Sequence, residues 1–233
     1  MKLFLFNKNI RAFTLAETLI TLVIIGVVAA IAVPTIHNNS QKEQTVTQLR
    51  KMHSELCQAV SMAQTIHGDP SHWDYDLNHY NFFKEYLFPF VQVSQDKVKD
   101  VKKHTTYRKL SGVEETSLYV MQQNSEVVNL ISGNQIFIGQ MSGVLNTANR
   151  RCYLFDTNGY KKPNKIGRDL FMYCIVKGKG VVAYTASSTD YESTNTNLTR
   201  AQLKQECNKS STGLYCAALI MKDGWQIKDD YPW

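Results

Sequence analysis

The sequence lacks the short motifs that mark the common enzyme classes. Its 233 residues contain no G-x-S-x-G, no phosphate-binding Walker loop, no H-E-x-x-H and no C-x-x-C. These motifs place a nucleophile, a phosphate cradle, a zinc site or a redox pair, so their absence argues against the corresponding chemistries. We therefore predict that the protein is not an enzyme.

The chain also has little net charge once its first 12 residues are set aside. Its formal charge is +6, but Lys2, Lys8 and Arg11 lie at the start, which leaves 23 basic and 20 acidic residues. A net charge of +3 gives no support for a nucleic-acid partner. The basic stretch Ser94–Lys109 lacks regular aromatic interleaving, so a solvated loop or helix face is predicted there in preference to a partner-facing patch.

The most informative segment is an apolar run, Phe13–Val33, that contains a single acidic residue, Glu17. As a helix, its 21 residues reach about 32 Å at roughly 1.5 Å per residue, enough to cross a hydrocarbon core of about 30 Å. A carboxylate inside a membrane span is costly, and by default it marks a functional site whose partner must be named. The sequence therefore predicts a membrane helix with one functional carboxylate near its start.

The segment Arg11-Ala12-Phe13-Thr14-Leu15-Ala16-Glu17-Thr18-Leu19-Ile20 resembles the processing site of type IV pilins and type II secretion pseudopilins. The resemblance implies that prepilin peptidase cuts between Ala12 and Phe13 and methylates the new amino group of Phe13. Glu17 then becomes the acidic fifth residue of the mature chain, and Pro34 falls where the first helix of the family often has a kink. Ala12 departs from the family, since most members have glycine there.

The resemblance also implies the architecture and the partners. The fold is expected to be α+β, with a long N-terminal helix, membrane-spanning in its first half, packed on an antiparallel β-sheet. The expected divisions are a leader (1–12), the transmembrane half of the first helix (13–34), its soluble half (35–67) and a globular domain (68–233). Expected partners are identical or related pilin-like subunits, prepilin peptidase and the inner-membrane assembly platform, with no nucleic acid.

The position of Glu17 in the apolar run also has a physical explanation that does not depend on the resemblance. Cleavage before Phe13 would create an α-amino group one helical turn from the carboxylate, where each charge is costly unless it is paired. A staggered neighbouring subunit can offer its amine to Glu17, so the pair would set the register of an assembly. Basic residues before the span would hold that end in the cytoplasm and send the C-terminal domain across the inner membrane.

The sequence is also compatible with other functions. Ala30-Ile31-Ala32 fits the cleavage pattern of an ordinary secretory signal, and the run could also be a simple membrane anchor. The main prediction is a structural subunit of a type II secretion pseudopilus or a type IV pilus. The alternative is a membrane-anchored or secreted binding protein that does not polymerise, and a DNA-uptake pilin is a third possibility. The mature N-terminus distinguishes them.

Beyond Pro34 the pattern changes from helical to β-type. An apolar stripe from Val46 to Ala63 predicts that the first helix continues until Gly68-Asp69-Pro70, and a second helix is predicted over 78–87. Strand-like segments follow at 118–121, 127–131, 135–139, 152–155 and 170–176, with a hairpin at Ser132-Gly133-Asn134. A helix over 198–206 and a strand over 214–221 complete the prediction.

The five cysteines have no zinc spacing and, in an exported domain, are disulfide candidates. Cys207 and Cys216 are the best pair, because they close a short loop. Cys152 and Cys174 lie on two strand-like segments and could form a second bond. Cys57 is then left over on the first helix.

Two polar segments are weak metal candidates. The segment 156–169 resembles a loop of many pseudopilin-like sequences whose Asp and Asn oxygens sometimes hold calcium, but only Asp156 and Asn158 have suitable spacing. A structural Asx turn is the preferred interpretation, so no cofactor is predicted and calcium is kept as the weaker alternative. A second polar group has residue types that bind transition metals, but its spacing matches no single helix face, so a polar loop is the better explanation: His67, Asp69, His72, Asp74, Asp76 and His79.

Overall fold

A computed structural model gives the fold of residues 14–99, 106–115, 126–138, 149–187, 190–194 and 197–233. The chain divides into two units, Met1–Lys42 and Glu43–Trp233. The helices are α1 (Leu15–His67), α2 (His79–Tyr86), α3 (Arg200–Glu206) and α4 (Cys216–Lys222), with 3₁₀ turns at Pro70–His72 and Phe88–Phe90. The strands are β1 (Val93–Lys99), β2 (Glu126–Leu130), β3 (Gln135–Ile138), β4 (Arg150–Asp156), β5 (Leu170–Val176), β6 (Gly180–Ala183), β7 (Ala186–Ser187) and β8 (Asp190–Thr194).

Helix α1 is continuous over 53 residues and includes Pro34 in its interior. It ends at His67, where Gly68 adopts a φ of +77°, as the Gly68-Asp69-Pro70 signal predicts. Its buried residues recur every three or four positions, which places them on one helix face: Leu49, Met52, Leu56, Ala59, Val60 and Ala63. These residues form part of the core of the Glu43–Trp233 unit.

Strands β1 to β6 form one antiparallel sheet in chain order. Strands β7 and β8 form a separate antiparallel pair. The turn between β2 and β3 contains Gly133 with a φ of +85°, a conformation that side chains disfavour, so the predicted hairpin is confirmed. The long helix and the six-stranded sheet together confirm the predicted α+β class.

Both faces of the sheet are covered, and every residue of β4 and β5 is buried. Because side chains alternate along a strand, the two faces build two clusters. The cluster on the α1 side includes Tyr153, Phe155, Phe171 and Tyr173. The cluster on the opposite face includes Cys152, Leu154, Met172 and Cys174, together with Tyr107 from the segment 106–115.

The strand predicted over 214–221 is wrong, because Cys216–Lys222 forms helix α4. A short apolar run of this length fits a buried strand or a buried helix equally well by periodicity. Ala217 and Ala218 favour the helix, and Gly224, with a φ of +74°, ends it, with the Trp225 N–H donating to the Ile220 carbonyl.

The prediction of a loop or helix face over Ser94–Lys109 is wrong in its first part. Val93–Lys99 forms strand β1, which pairs with β2 from residues 126–130. Lysines are common on edge strands, so the basic composition agrees with this position. The predicted strand over 118–121 lies outside the described residues.

Candidate functional site

The start of α1 is closed by a reciprocal cap between Thr14 and Glu17. Glu17 Oε2 accepts hydrogen bonds from the Thr14 N–H at 2.8 Å and from the Thr14 hydroxyl at 3.0 Å. The Glu17 N–H in turn donates to Thr14 Oγ1 at 3.2 Å. This is a capping box, which satisfies backbone donors that a helix start leaves unpaired. Both contacts to the carboxylate use the same oxygen, and Oε1 accepts no hydrogen bond from residues 14–99 or the other described segments.

The segment that follows this cap is apolar on all sides and exposed. It is the one described helix that is long and apolar enough to span a membrane, and its most apolar stretch buries no residue within the protein. A helix that is hydrophobic all round needs a surrounding apolar environment. Its exposed large side chains are Leu15, Leu19, Ile20, Leu22, Val23, Ile24, Ile25, Val27, Val28, Ile31 and Val33.

Of the other predicted N-terminal residues, the structure describes Pro34 but not Ala12 and Phe13. Ala12 and Phe13, the expected processing pair, lie outside the described residues. Pro34 lies inside α1, so the helix does extend through it, and the kink stays a prediction. Glu17 therefore lies in the first turn of α1, while the cleavage itself must be tested in the mature protein.

Four of the five cysteines form two disulfide bonds, in the two pairings that the sequence favours. Cys207 follows the last residue of α3 and is bonded to Cys216, the first residue of α4. Cys152 and Cys174 are opposite one another in the β4–β5 register and form the second bond. All five cysteines are described, and Cys57 on α1 is the free one; burial raises the pKa of its thiol.

A charged cluster near the C-terminus joins residues that are far apart in the sequence. Arg200 at the start of α3 contacts Asp223 at 2.6 Å and Asp230 at 2.7 Å, and Lys204 also contacts Asp230 at 2.6 Å. Hydrogen bonds from Arg200 and Lys204 hold the pKa of Asp230 below its usual range. The residues are 20 to 30 positions apart, so local sequence patterns give no signal for this cluster.

Within segment 67–79, Asp69, Asp74 and His79 make separate structural contacts. Asp69 and Asp74 each accept a hydrogen bond from the N–H two residues later. The His79 Nε2 lies 2.6 Å from the Cys152 carbonyl oxygen in the core, and burial lowers the pKa of His79 to about 4. No cluster of three or more histidine, cysteine, aspartate or glutamate side chains suited to a metal occurs in the described parts of the chain.

The loop after β4 is organised by two buried carboxylates. Asp156 Oδ1 accepts from the Asn158 N–H at 2.9 Å, and its Oδ2 accepts from the Tyr107 hydroxyl at 2.6 Å. Asp169 Oδ2 accepts from the Asn164 N–H at 2.6 Å, and its Oδ1 from the Lys165 N–H at 2.5 Å. The Asx turn expected at Asp156 is therefore present.

The surroundings of Asp156 and Asp169 disfavour a negative charge on both carboxylates at once. Burial and then the charge of Asp169 raise the pKa of Asp156. Burial also raises the pKa of Asp169, against the opposing hydrogen bonds from Lys165 and Asn164. Neither carboxylate forms an ion pair with any basic side chain in the described ranges.

Two family models match the chain. One, described as the prokaryotic N-terminal methylation motif, covers residues 7–33. The other, described as a family of unknown function (DUF6613), covers residues 35–233. No curated protein and no solved structure matches the chain. The first match confirms the resemblance that was based on residues 11–20.

Proposed function

We propose that this chain, which belongs to the family of unknown function DUF6613 and carries the N-terminal methylation motif of type IV pilins and pseudopilins, is a structural subunit of a pilus or pseudopilus filament. Prepilin peptidase removes residues 1–12 and methylates Phe13. Before assembly, the subunit is held in the inner membrane by the first half of α1, with the C-terminal domain outside the cytoplasm.

The exposed apolar start of α1 is the observation that carries this proposal. Each Å² of apolar surface kept from water is worth about 25 cal/mol, so eleven large exposed side chains over residues 15–33 strongly favour an apolar environment. In the membrane, lipid provides that environment. In a filament, the equivalent helices of neighbouring subunits would replace the lipid, which gives one surface two successive uses.

Glu17 supplies the polar part of the same surface. Thr14 donates two hydrogen bonds to Glu17 Oε2, and Oε1 accepts none from the described residues, so a donor from another molecule would bind there. In an apolar environment, the α-amine of a neighbouring mature subunit would stabilise the carboxylate that lipid disfavours. The expected gain on pairing would favour movement of a subunit from the bilayer into the filament.

The mature N-terminus tests the proposal. Full-length protein is expressed in a bacterium that has prepilin peptidase and is purified from membranes, and its N-terminal peptide is analysed by mass spectrometry. We expect a chain that begins with methylated Phe13. A start at Val33 would indicate a secretory signal, and retention of Met1 would indicate an anchored binding protein; either result would overturn the proposal.

Replacement of Ala12 by a bulky residue gives a matched test of the site. We expect the Ala12→Leu variant to accumulate unprocessed in the inner membrane, while Lys8→Leu, four residues earlier, is processed. Deletion of the gene that encodes this chain then shows which of the two filament systems the protein serves. Loss of secreted enzymes would indicate a pseudopilus, and loss of surface filaments would indicate a pilus.

A further inference from the structure

The loop after β4 presents a positively charged surface. Its segment 157–168 contains four basic residues and no acidic one. Lys161 and Lys162 are exposed, and Lys165 is half-buried. None of these three lysines forms an ion pair with another residue of the described segments. We call them the lysine surface, because cations whose charge is not paired within the chain favour an anionic partner.

The loop that carries the lysine surface is held in one shape by its own hydrogen bonds. The Thr157 N–H donates to the Asp169 carbonyl at 2.8 Å, which joins the two ends of the loop. The Asp169 carboxylate also accepts from the Lys165 N–H. Asp156 and Asp169 are buried, and burial raises the pKa of each, so they offset the lysine charges only in part. A surface that is ordered before binding loses less entropy when a partner binds.

A negatively charged surface with the same number of charges lies between α1 and α2. Asp69, Asp74 and Asp76 are exposed, and Asp69 and Asp74 are fixed by hydrogen bonds from the N–H two residues later. Arg151 lies close enough to Asp74 and Asp76 to offset part of their charge. Within the described part of the chain, none of the three aspartates forms an ion pair. We call them the aspartate surface.

The lysine surface and the aspartate surface lie at opposite ends of strand β4. The Arg151 guanidinium, near the start of β4, donates to the Leu77 carbonyl at 2.9 Å, and Leu77 directly follows Asp76. The loop with the lysines begins directly after Asp156, the last residue of β4. From Arg150 to Asp156 the strand spans about 20 Å, at roughly 3.3 Å per residue. The lysines and aspartates of one copy are therefore too far apart to pair with one another.

We propose that the lysine surface of one copy of this chain binds the aspartate surface of a second copy, head to tail. The inference rests on the proposed filament function and names one contact between its subunits. A contact between two different surfaces repeats from copy to copy and builds an open helical filament when it does not close into a ring. Burial of apolar surface is non-directional, so the complementary charges would fix the orientation of neighbouring subunits.

Cross-linking of the assembled full-length protein tests the contact. A carbodiimide joins a lysine amine directly to a carboxylate when the two groups touch, and mass spectrometry of the digest identifies the joined peptides. We expect bonds between the lysine surface and the aspartate surface. Because about 20 Å of β4 separates the two surfaces within one copy, each such bond reports a contact between copies. Bonds from these lysines to a different protein instead would overturn the proposal.

Charge reversal with compensation tests the same contact. Lys161→Glu with Lys162→Glu should lower the amount of multimer at low salt by about tenfold or more, since like charges then face one another. Asp74→Lys with Asp76→Lys should have the same effect. The chain with all four substitutions again has opposite charges at the contact, so its multimers should recover. Lack of recovery in a variant with both disulfides and an unchanged unfolding temperature would contradict the contact.

Asp76→Lys alone is a milder reversal. The Asp76 side chain accepts no hydrogen bond from the residues that the structure describes, whereas Asp74 holds the Asp76 N–H. The single substitution should therefore leave the unfolding temperature unchanged and still lower the amount of multimer. Normal multimers from this variant and from Lys161→Glu with Lys162→Glu would overturn the proposal and indicate an anionic partner other than a second copy.

Lys177→Glu with Lys222→Glu is the matched control. Both lysines are exposed outside the lysine surface, and the net charge changes by the same amount. We expect this variant to form multimers as the unsubstituted chain does, and an equal loss would show that net charge governs assembly and would refute the contact. If the unsubstituted chain is processed and assembles without these cross-links, only the contact is wrong. If it forms no multimers, the filament function is wrong as well.

Discussion

Gly167 lies directly against Cys216, so that a Cβ built on Gly167 would be 2.8 Å from Cys216 Sγ. Gly167 also has a φ of +82°, which disfavours any side chain. Cys216 cannot move aside, since its sulfur is bonded to Cys207 and its backbone begins α4. The loop 157–169 and the disulfide-linked helices therefore constrain one another at this contact.

We expect Gly167→Ala to destabilise the domain by about 3 kcal/mol or more, from the left-handed backbone and the overlap with Cys216 together. Gly178→Ala is the control, because Gly178 has a φ of +70° and open space around its Cβ position. It should cost about 1 to 2 kcal/mol. Chemical denaturation measures both, and equal losses would show that the contact with Cys216 is unimportant.

Loss of the Glu17 charge should prevent assembly without affecting the fold. In Glu17→Gln, an amide oxygen can still accept from Thr14, but no charge remains for a neighbouring amine. We expect the variant to be processed, inserted in the membrane and disulfide-bonded, yet absent from sheared filaments and cross-linked multimers. Glu43→Gln, on the exposed part of α1 beyond the apolar run, should assemble normally. Normal incorporation of Glu17→Gln would refute the role of the charge.

Removal of the Cys207–Cys216 bond should lower stability moderately. The loop spans 9 residues, for which chain entropy gives about 2 to 3 kcal/mol. The double substitution Cys207→Ser and Cys216→Ser should lose about this amount in thermal or denaturant unfolding, with membrane insertion unchanged. Non-reducing peptide mapping checks the pairing in the natural protein. Free thiols at both positions, or a link from Cys207 to Cys174, would contradict it.

His79 should make the domain sensitive to acid. Burial lowers its pKa to about 4, against an ordinary value of 6.5, so between these values the unfolded chain binds a proton that the folded chain does not. The contribution of His79 to stability therefore falls as the pH is lowered through this window, by about 3 kcal/mol at its lower end.

The role of His79 is checked by measuring how the free energy of unfolding changes with pH in three proteins. Relative to the unsubstituted chain, His79→Gln should show a smaller loss of unfolding free energy between pH 7 and pH 5, although it is less stable at neutral pH. His72→Gln, at an exposed position, should keep the original slope. Identical slopes in all three proteins would rule out His79 as the source.

The sequence by itself determined the features that depend on neighbouring residues. The processing motif and the apolar span are contiguous, so composition and length are enough to identify them. The same holds for the end of α1 at Gly68-Asp69-Pro70, for the β2–β3 hairpin and for the Asx turn at Asp156. The pairing of Cys207 with Cys216 could be predicted because the two residues are close in the chain.

Tertiary structure decided the features that depend on distant residues. Residues 216–222 are apolar enough for a strand or a helix, and packing against the core selects α4. β1 exists because residues 126–130 lie beside it. Likewise, Gln135 comes to face Asp156 only through the β3–β4 register, and Gly167 comes to face Cys216 only when the loop closes. Local propensity is weak compared with burial, so these outcomes required the folded chain.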